Sequence, residues 1–107
     1  MKEIRAIIRP SRLNQLRNAL HNIHDFFSLG VWKGEGFSAP ISRHQTLREE
    51  LTDFTDKILV TVLVADDMVD TIVDVIVREC QTGMPHDGVV WVVSVEAAYR
   101  IHDKGTL

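Results

Sequence analysis

The chain has 107 residues, 45% hydrophobic and 25% charged, which is ordinary globular composition with room for one core rather than two. Twelve Lys and Arg against fifteen Asp and Glu give a formal net charge of -3, and no basic run is present, so a nucleic-acid footprint is excluded. No apolar run is long enough to cross a bilayer, Met1-Lys2-Glu3-Ile4-Arg5 does not resemble a secretory signal, and the single Cys80 leaves no internal disulfide, so a cytoplasmic chain without membrane insertion is expected.

Glu3 to Arg9 alternates Ile4, Ala6 and Ile8 with Glu3, Arg5, Ile7 and Arg9, the period of a strand with one mostly polar face. Pro10 ends it, Ser11 is placed to cap a helix, and Leu13, Leu16, Leu20 and Ile23 recur at helical spacing. His21 to Ser28 reads as a connection and Leu29 to Glu35 as a second strand, with Gly34 and Gly36 loosening the backbone. Phe37 to Asp56 is polar and poor in large apolar residues, apart from a possible helical turn over Thr46 to Leu51. A loop of that length inside a compact domain is uncommon and is usually functional or mobile.

Lys57 to Ala65 carries the unbroken run Ile58 to Val64, as expected for a strand covered on both sides or paired across subunits. Asp66 and Asp67 supply a helix cap and first-turn negative charge. Val69, Ile72, Val73, Ile76, Val77 and Cys80 then form the cleanest helical stripe in the chain, with Gly83 at the position of a C-terminal cap. Val89 to Val95 is the fourth strand, and Glu96 to Leu107 a polar tail anchored by Tyr99 and Ile101.

This order predicts an α+β fold, the ferredoxin-like βαββαβ plait, with both helices on one sheet face and a long loop between strands 2 and 3. The other face is left open, with Trp32 and Trp91 in need of cover, and oligomerisation supplies it most simply.

Chemistry-bearing residues gather at one bend. Gln81 to Gly88 links a helix end to a strand and carries Thr82, His86 and Asp87 between two glycines, so its backbone can approach a bound group. The same pattern also suits an ordinary turn. His21 and His24 are spaced to share a helix face, and with Cys80, His86 or His102 they invite a metal reading, although their ligand set is scattered. Cys80 on the apolar stripe reads as a buried, inert thiol. No carboxylate pair, nucleophile–base arrangement or phosphate-loop motif is present, so no enzymatic activity is expected.

Five segments carry a resemblance. Met1 to Pro10, Lys33-Gly34-Glu35-Gly36, Val64 to Val69 with the following helix, Thr82-Gly83-Met84-Pro85-His86-Asp87-Gly88, and Tyr99-Arg100-Ile101-His102 resemble segments of the PII family of nitrogen-regulatory signal-transduction proteins. In that order they match its opening strand, the approach to its T-loop, its third strand with the next helix, its B-loop and its C-terminal loop. The resemblance implies a single PII-like domain over residues 1–107, assembled as a homotrimer, with a T-loop at about 37–56, a B-loop at 81–88 and a C-terminal loop at 96–107. It further implies adenine nucleotide in clefts between subunits and a T-loop that engages a partner, a membrane transporter or an enzyme.

Carried over by position, the adenine and ribose side falls to Ile7, Ser28, Gly34, Gly36 and Leu63. The phosphate side falls to Thr82, Gly83, His86, Asp87, Gly88, Arg100 and His102. Partner contacts fall to Arg43, Arg48, Glu49, Glu50 and Asp53.

The chain departs from the family pattern where charge matters. Val89 stands in place of the B-loop lysine, and His102, not a permanent cation, in place of the second C-loop arginine. Only Arg100 remains of three phosphate cations. Each charge-assisted hydrogen bond contributes roughly 1.5–3 kcal/mol, so losing one or two weakens triphosphate binding about ten- to ten-thousand-fold. AMP or ADP is therefore expected to be favoured over magnesium ATP. Phe37 and Ser38 replace the residues that grip magnesium and 2-oxoglutarate, and Lys57 matches the lysine that meets the 2-oxoglutarate carboxylate, though it reads equally as an exposed charge. Glu50 occupies the modified tyrosine position and Tyr99 is the only tyrosine, so a loop tyrosine cannot be modified. Ser38-Ala39-Pro40 and Asp87 to Val92 are most similar to a branch that sits beside heavy-metal efflux pumps. An alternative reading is accordingly a metal-responsive or metal-binding trimer.

Overall fold

The computed structural model of the protein describes residues 1–36 and 55–107. Four strands, β1 (Lys2–Ile8), β2 (Ser28–Gly36), β3 (Thr55–Val64) and β4 (Gly88–Ser94), form one antiparallel sheet in the order β2-β3-β1-β4. α1 (Leu13–His21) joins β1 to β2, and α2 (Val69–Cys80) joins β3 to β4. This is the expected plait.

The strand period decides which face is buried. Ile4 pairs with Val62, Ala6 with Val60 and Ile8 with Ile58, and all six side chains are buried against Leu16 and Leu20 of α1 and Ile72, Val75, Ile76 and Cys80 of α2. Fully burying one such aliphatic side chain contributes about 1.5–3 kcal/mol, so this two-layer core is the main stabilising element. The alternate residues face the other way. Arg5 pairs with Thr61 and Trp91, and Ile7 with Leu59 and Val89, while Trp32 lies opposite Leu59 and is 55% exposed. A Cβ on Gly30 would overlap the Trp32 ring, so the glycine is what lets the indole lie along the strand. Among the described residues no helix covers this second sheet face, which the sequence predicts to be open and which sets Ile7, Trp32, Leu59, Val89 and Trp91 beside Glu3, Arg5 and Thr61.

Element boundaries and caps differ in detail. β1 runs from Lys2 and β2 reaches Gly36, one residue beyond Glu35. β3 starts at Thr55, which pairs with Gly36, so Thr55 and Asp56 belong to the sheet and not to the long loop. Ser11 does not cap α1. It lies inside a single 3-10 turn over Pro10–Arg12, where proline presets the backbone and Arg12 N–H donates to the Arg9 carbonyl at 3.0 Å. Asp66 does not cap α2 either; its carboxylate meets the Met1 ammonium at 2.7 Å, a bond that holds the carboxyl below its ordinary range. Nor does Gly83 cap the end of α2. Arg12 does, donating from Nε to the Glu79 carbonyl at 3.0 Å and from Nη2 to the Gln81 carbonyl at 3.4 Å. The tail is held by its backbone, not by Tyr99 and Ile101, which are exposed: Leu107 N–H donates to Ala98 O at 3.0 Å and Tyr99 bridges to Thr106.

Among the described residues, no helix is long and apolar enough to cross a membrane. Phe37, Ser38, the expected turn over Thr46 to Leu51, and the proposed partner residues Arg43, Arg48, Glu49, Glu50 and Asp53 lie outside the described residues.

Candidate functional site

The segment between α2 and β4 is built around one carboxylate. Asp87 Oδ2 accepts from the backbone N–H of Thr82 at 2.8 Å and of Gly83 at 3.0 Å. Its Oδ1 accepts from the Thr82 hydroxyl and from Arg9 Nε, the latter at 3.3 Å. Partial desolvation opposes ionisation of Asp87, but the Thr82 hydroxyl and amide, Arg9 and the Gly83 amide outweigh it and bring the carboxyl down to about 2. The loop is thus an anionic knot closed on itself, with Gly83 at φ +83° making the turn that aims two amides inward.

Gly88 closes the knot onto the sheet. At φ +121° it pairs with Ile8, and a Cβ there would overlap the Ile7 carbonyl oxygen, so no other residue fits without moving backbone. A cleft of about 250 Å³ lies beside it, lined by Ile7, Ile8, Ile76, Val77, Cys80 and Val90 among others. Asp87 brings to that cleft the charge of a carboxylate. Cys80 lines its floor as a buried thiol, and burial pushes that thiol up to about 11, which agrees with its reading as inert.

Across the same end of the sheet lies the second group of expected residues. Gly34 and Gly36 face Lys57 and Thr55 in register, and Gly34 borders a cleft of about 460 Å³ with Pro10, Lys33, Glu35, Asp56, Lys57 and Ile58. Lys57 is 7% exposed, which corrects its reading as a solvated charge. A Cβ on Gly36 would come to 3.1 Å from Lys57 Cγ, so the glycine leaves the lysine stem its space. Ile8 pairs with Gly88 on one side and Ile58 on the other, and Ile58 pairs with Lys33, so three strand spacings of roughly 4.8 Å, about 14 Å, separate the two groups.

Ser28, Leu63 and the tail are elsewhere. Ser28 pairs with Leu63, and Leu63 with Glu3, five residues along β3 from the Ile58 row that meets Gly88. At about 3.3 Å per residue this is roughly 17 Å. The tail departs from the same far end, where Val95 N–H donates to Met1 O at 3.2 Å and Leu107 shares a cleft with Met1, Phe27 and Asp66. It carries Arg100, whose guanidinium is engaged by Asp103, Nε to Oδ1 at 3.2 Å and Nη2 to Oδ2 at 3.3 Å, and the exposed His102. One chain therefore holds the expected set as two clusters at opposite ends of its strands.

Three residues of these clusters have no site role in the sequence reading. Arg9 is a permanent cation at the 81–88 loop, Arg12 fixes the helix end from which that loop starts, and Asp103 holds Arg100. Only strand register could have found Arg9, because it follows Ile8, the residue paired with Gly88. The metal alternative gains nothing. α1 ends at His21, so His24 does not continue its face, and among the described residues no three of His, Cys, Asp and Glu are grouped to hold a metal ion.

Comparison with known proteins converges on one family. A family profile described as nitrogen regulatory protein P-II matches residues 1–104. Nitrogen regulatory protein P-II of Klebsiella oxytoca is 37% identical over 103 residues, covering 94% of this chain and 91% of that protein. Nitrogen regulatory protein P-II 1 of Escherichia coli (strain K12) gives the same figures, and P-II of Bradyrhizobium diazoefficiens is 33% identical over 103 residues. With its plait, its glycine-closed loop before β4 and this match along nearly its whole length, the chain belongs to the nitrogen regulatory protein P-II family of signal-transduction regulators.

Proposed function

We propose that the protein is a cytoplasmic homotrimer that binds an adenine nucleotide in clefts between subunits and regulates a partner, a transporter or an enzyme, through the loop at about 37–56. The observation that carries this reading is the split of the expected residues. Ile7, Gly34, Gly36, Thr82, Gly83, His86, Asp87 and Gly88 lie toward one end of the sheet, and Ser28, Leu63, Arg100 and His102 toward the other. A single subunit cannot close them around one ligand. Neighbouring subunits packed through the open face, with its Trp32, Leu59, Val89 and Trp91, bring one chain's near end to the next chain's far end.

The charge balance favours a lightly charged ligand. The Thr82 and Gly83 amides are already taken by Asp87, the loop contributes a carboxylate, and Arg100 shares its charge with Asp103. AMP or ADP suits this setting better than magnesium ATP. Ligand shifts the long loop between states only by its difference in affinity for them, which is how occupancy of the cleft would reach a partner.

The test combines mass and binding. Native mass spectrometry is expected to give three chains with up to three ADP, and titration calorimetry a tighter fit for ADP than for magnesium ATP. Trp91→Glu, which places a charge on the open face, is expected to yield folded monomer that no longer binds ADP. ADP binding retained by that monomer would refute the intersubunit site.

A further inference from the structure

The tail presents a salt bridge built with more care than a solvent-exposed pair requires. Arg100 meets Asp103 in fork geometry, Nε to Oδ1 at 3.2 Å and Nη2 to Oδ2 at 3.3 Å. Asp103 Oδ1 also accepts from the Gly105 N–H at 2.8 Å. Around this pair the backbone closes a turn: Arg100 N–H donates to Gly105 O and Lys104 N–H to Arg100 O, both at 2.8 Å, with Lys104 at φ +56°. A Cβ on Gly105 would overlap the Arg100 guanidinium and come to 2.9 Å from Asp103 Oδ1. Glycine is thus what lets the guanidinium lie against the turn. The gathered donors hold the Asp103 carboxyl below its ordinary range, the Gly105 amide first and Arg100 second.

We propose that Asp103 is a specificity-determining residue, which sets how much phosphate charge the cleft accepts by occupying Arg100 and standing beside it as a fixed negative charge. The inference rests on the nucleotide reading above. A guanidinium offers five N–H donors in a planar fork, and Asp103 takes the edge that suits a carboxylate or a phosphate best. A ligand phosphate reaching Arg100 either displaces Asp103 or binds next to it. In either route the carboxylate stays close by, and the penalty that its charge imposes, compared with a neutral residue at 103, scales with the charge of the phosphate group. Adenosine, with no phosphate, is indifferent to the pair. Arg100 and Asp103 are about half exposed, so water and salt limit the coupling, and exposed pairs of this kind change an equilibrium by a factor of up to about five.

Asp103→Asn keeps an oxygen for the Gly105 amide and removes the charge. Titration calorimetry in metal-free, chelator-containing buffer at low salt, on the intact protein, then compares adenosine, AMP, ADP and ATP. The expected result is graded: adenosine unchanged, and affinity gained in the order AMP, ADP, ATP, reaching about five-fold for ATP. Asp103→Ser, which retains a short acceptor without charge, gives the same gradient if charge is the cause. It also guards against a tail deranged by the amide. An equal gain or loss for all four ligands, or unchanged ATP affinity in both variants, overturns the proposal while leaving nucleotide binding intact. If neither parent nor variant binds any of the four, the nucleotide reading itself falls, and the proposal with it.

Discussion

Replacing Asp87 by alanine tests whether one carboxylate organises the loop between α2 and β4. Four donors converge on it: the Thr82 hydroxyl, the Thr82 and Gly83 amides, and Arg9 Nε. The carboxylate is 21% exposed, so water replaces part of what is removed and no donor is left stranded in a dry site. At a net 0.5–1 kcal/mol per bond the loss is about 2–4 kcal/mol. In a domain of this size each kcal/mol moves the melting point by about 4–6 °C, which gives a fall of roughly 10–20 °C. Thermal melts followed by circular dichroism at pH 7 read this directly. The pH dependence has a fixed sign. The folded carboxyl is down at about 2 against an ordinary 3.8, so its stabilisation is complete above about pH 4 and is lost as pH falls through 2. Urea melts at pH 5, 4, 3 and 2 should therefore show the gap between parent and Asp87→Ala closing toward acid. A variant melting within about 3 °C of its parent at pH 7, or a gap that stays constant down to pH 2, would refute this account.

Gly88→Ala forces a side chain onto backbone at φ +121° and into the Ile7 carbonyl, and should cost about 2–4 kcal/mol in urea unfolding. Gly34→Ala meets no atom within 4 Å and should change stability by less than about 1 kcal/mol, which controls for the loss of glycine freedom in general. Arg12→Met keeps an apolar stem but removes both bonds to the end of α2, at about 1 kcal/mol. Amide exchange should rise in the last turn of α2 and not in its first; an even rise along the helix would show that Arg12 acts otherwise.

The plait was legible because its signals are periodic. Ile4, Ala6 and Ile8 alternate, and Ile72, Ile76 and Cys80 of the expected helical stripe lie in the buried core, although Val75, outside that stripe, is buried with them and Val77 is exposed. What failed was local punctuation. Ser11, Asp66 and Gly83 carry cap chemistry, yet Ser11 sits inside the Pro10 turn, the Asp66 carboxylate is taken by the Met1 ammonium, and Arg12 meets the end of α2. Composition cannot disclose such partners. Arg9 and Asp87 are 78 positions apart, and only the β1–β4 register brings them together. Lys57 reads as solvated by its residue type but is buried, since β3 carries it into the sheet beside Gly36. The two-cluster arrangement was equally hidden. The resemblance implies clefts between subunits, but only the strand register says which of the residues one chain keeps apart.

The outer rim of β4 has a consequence for how this protein must be handled by the cell. β4 ends the sheet, and Val89-Val90-Trp91-Val92-Val93 offers five uncharged, strand-prone residues there with no proline to interrupt them. Such a rim is a template for fibrous stacking when bare, and Lys2, bonded to Ser94 at 3.0 Å, is the charged side chain beside its far tip. Whatever shields that rim therefore also protects the chain from self-templated precipitation.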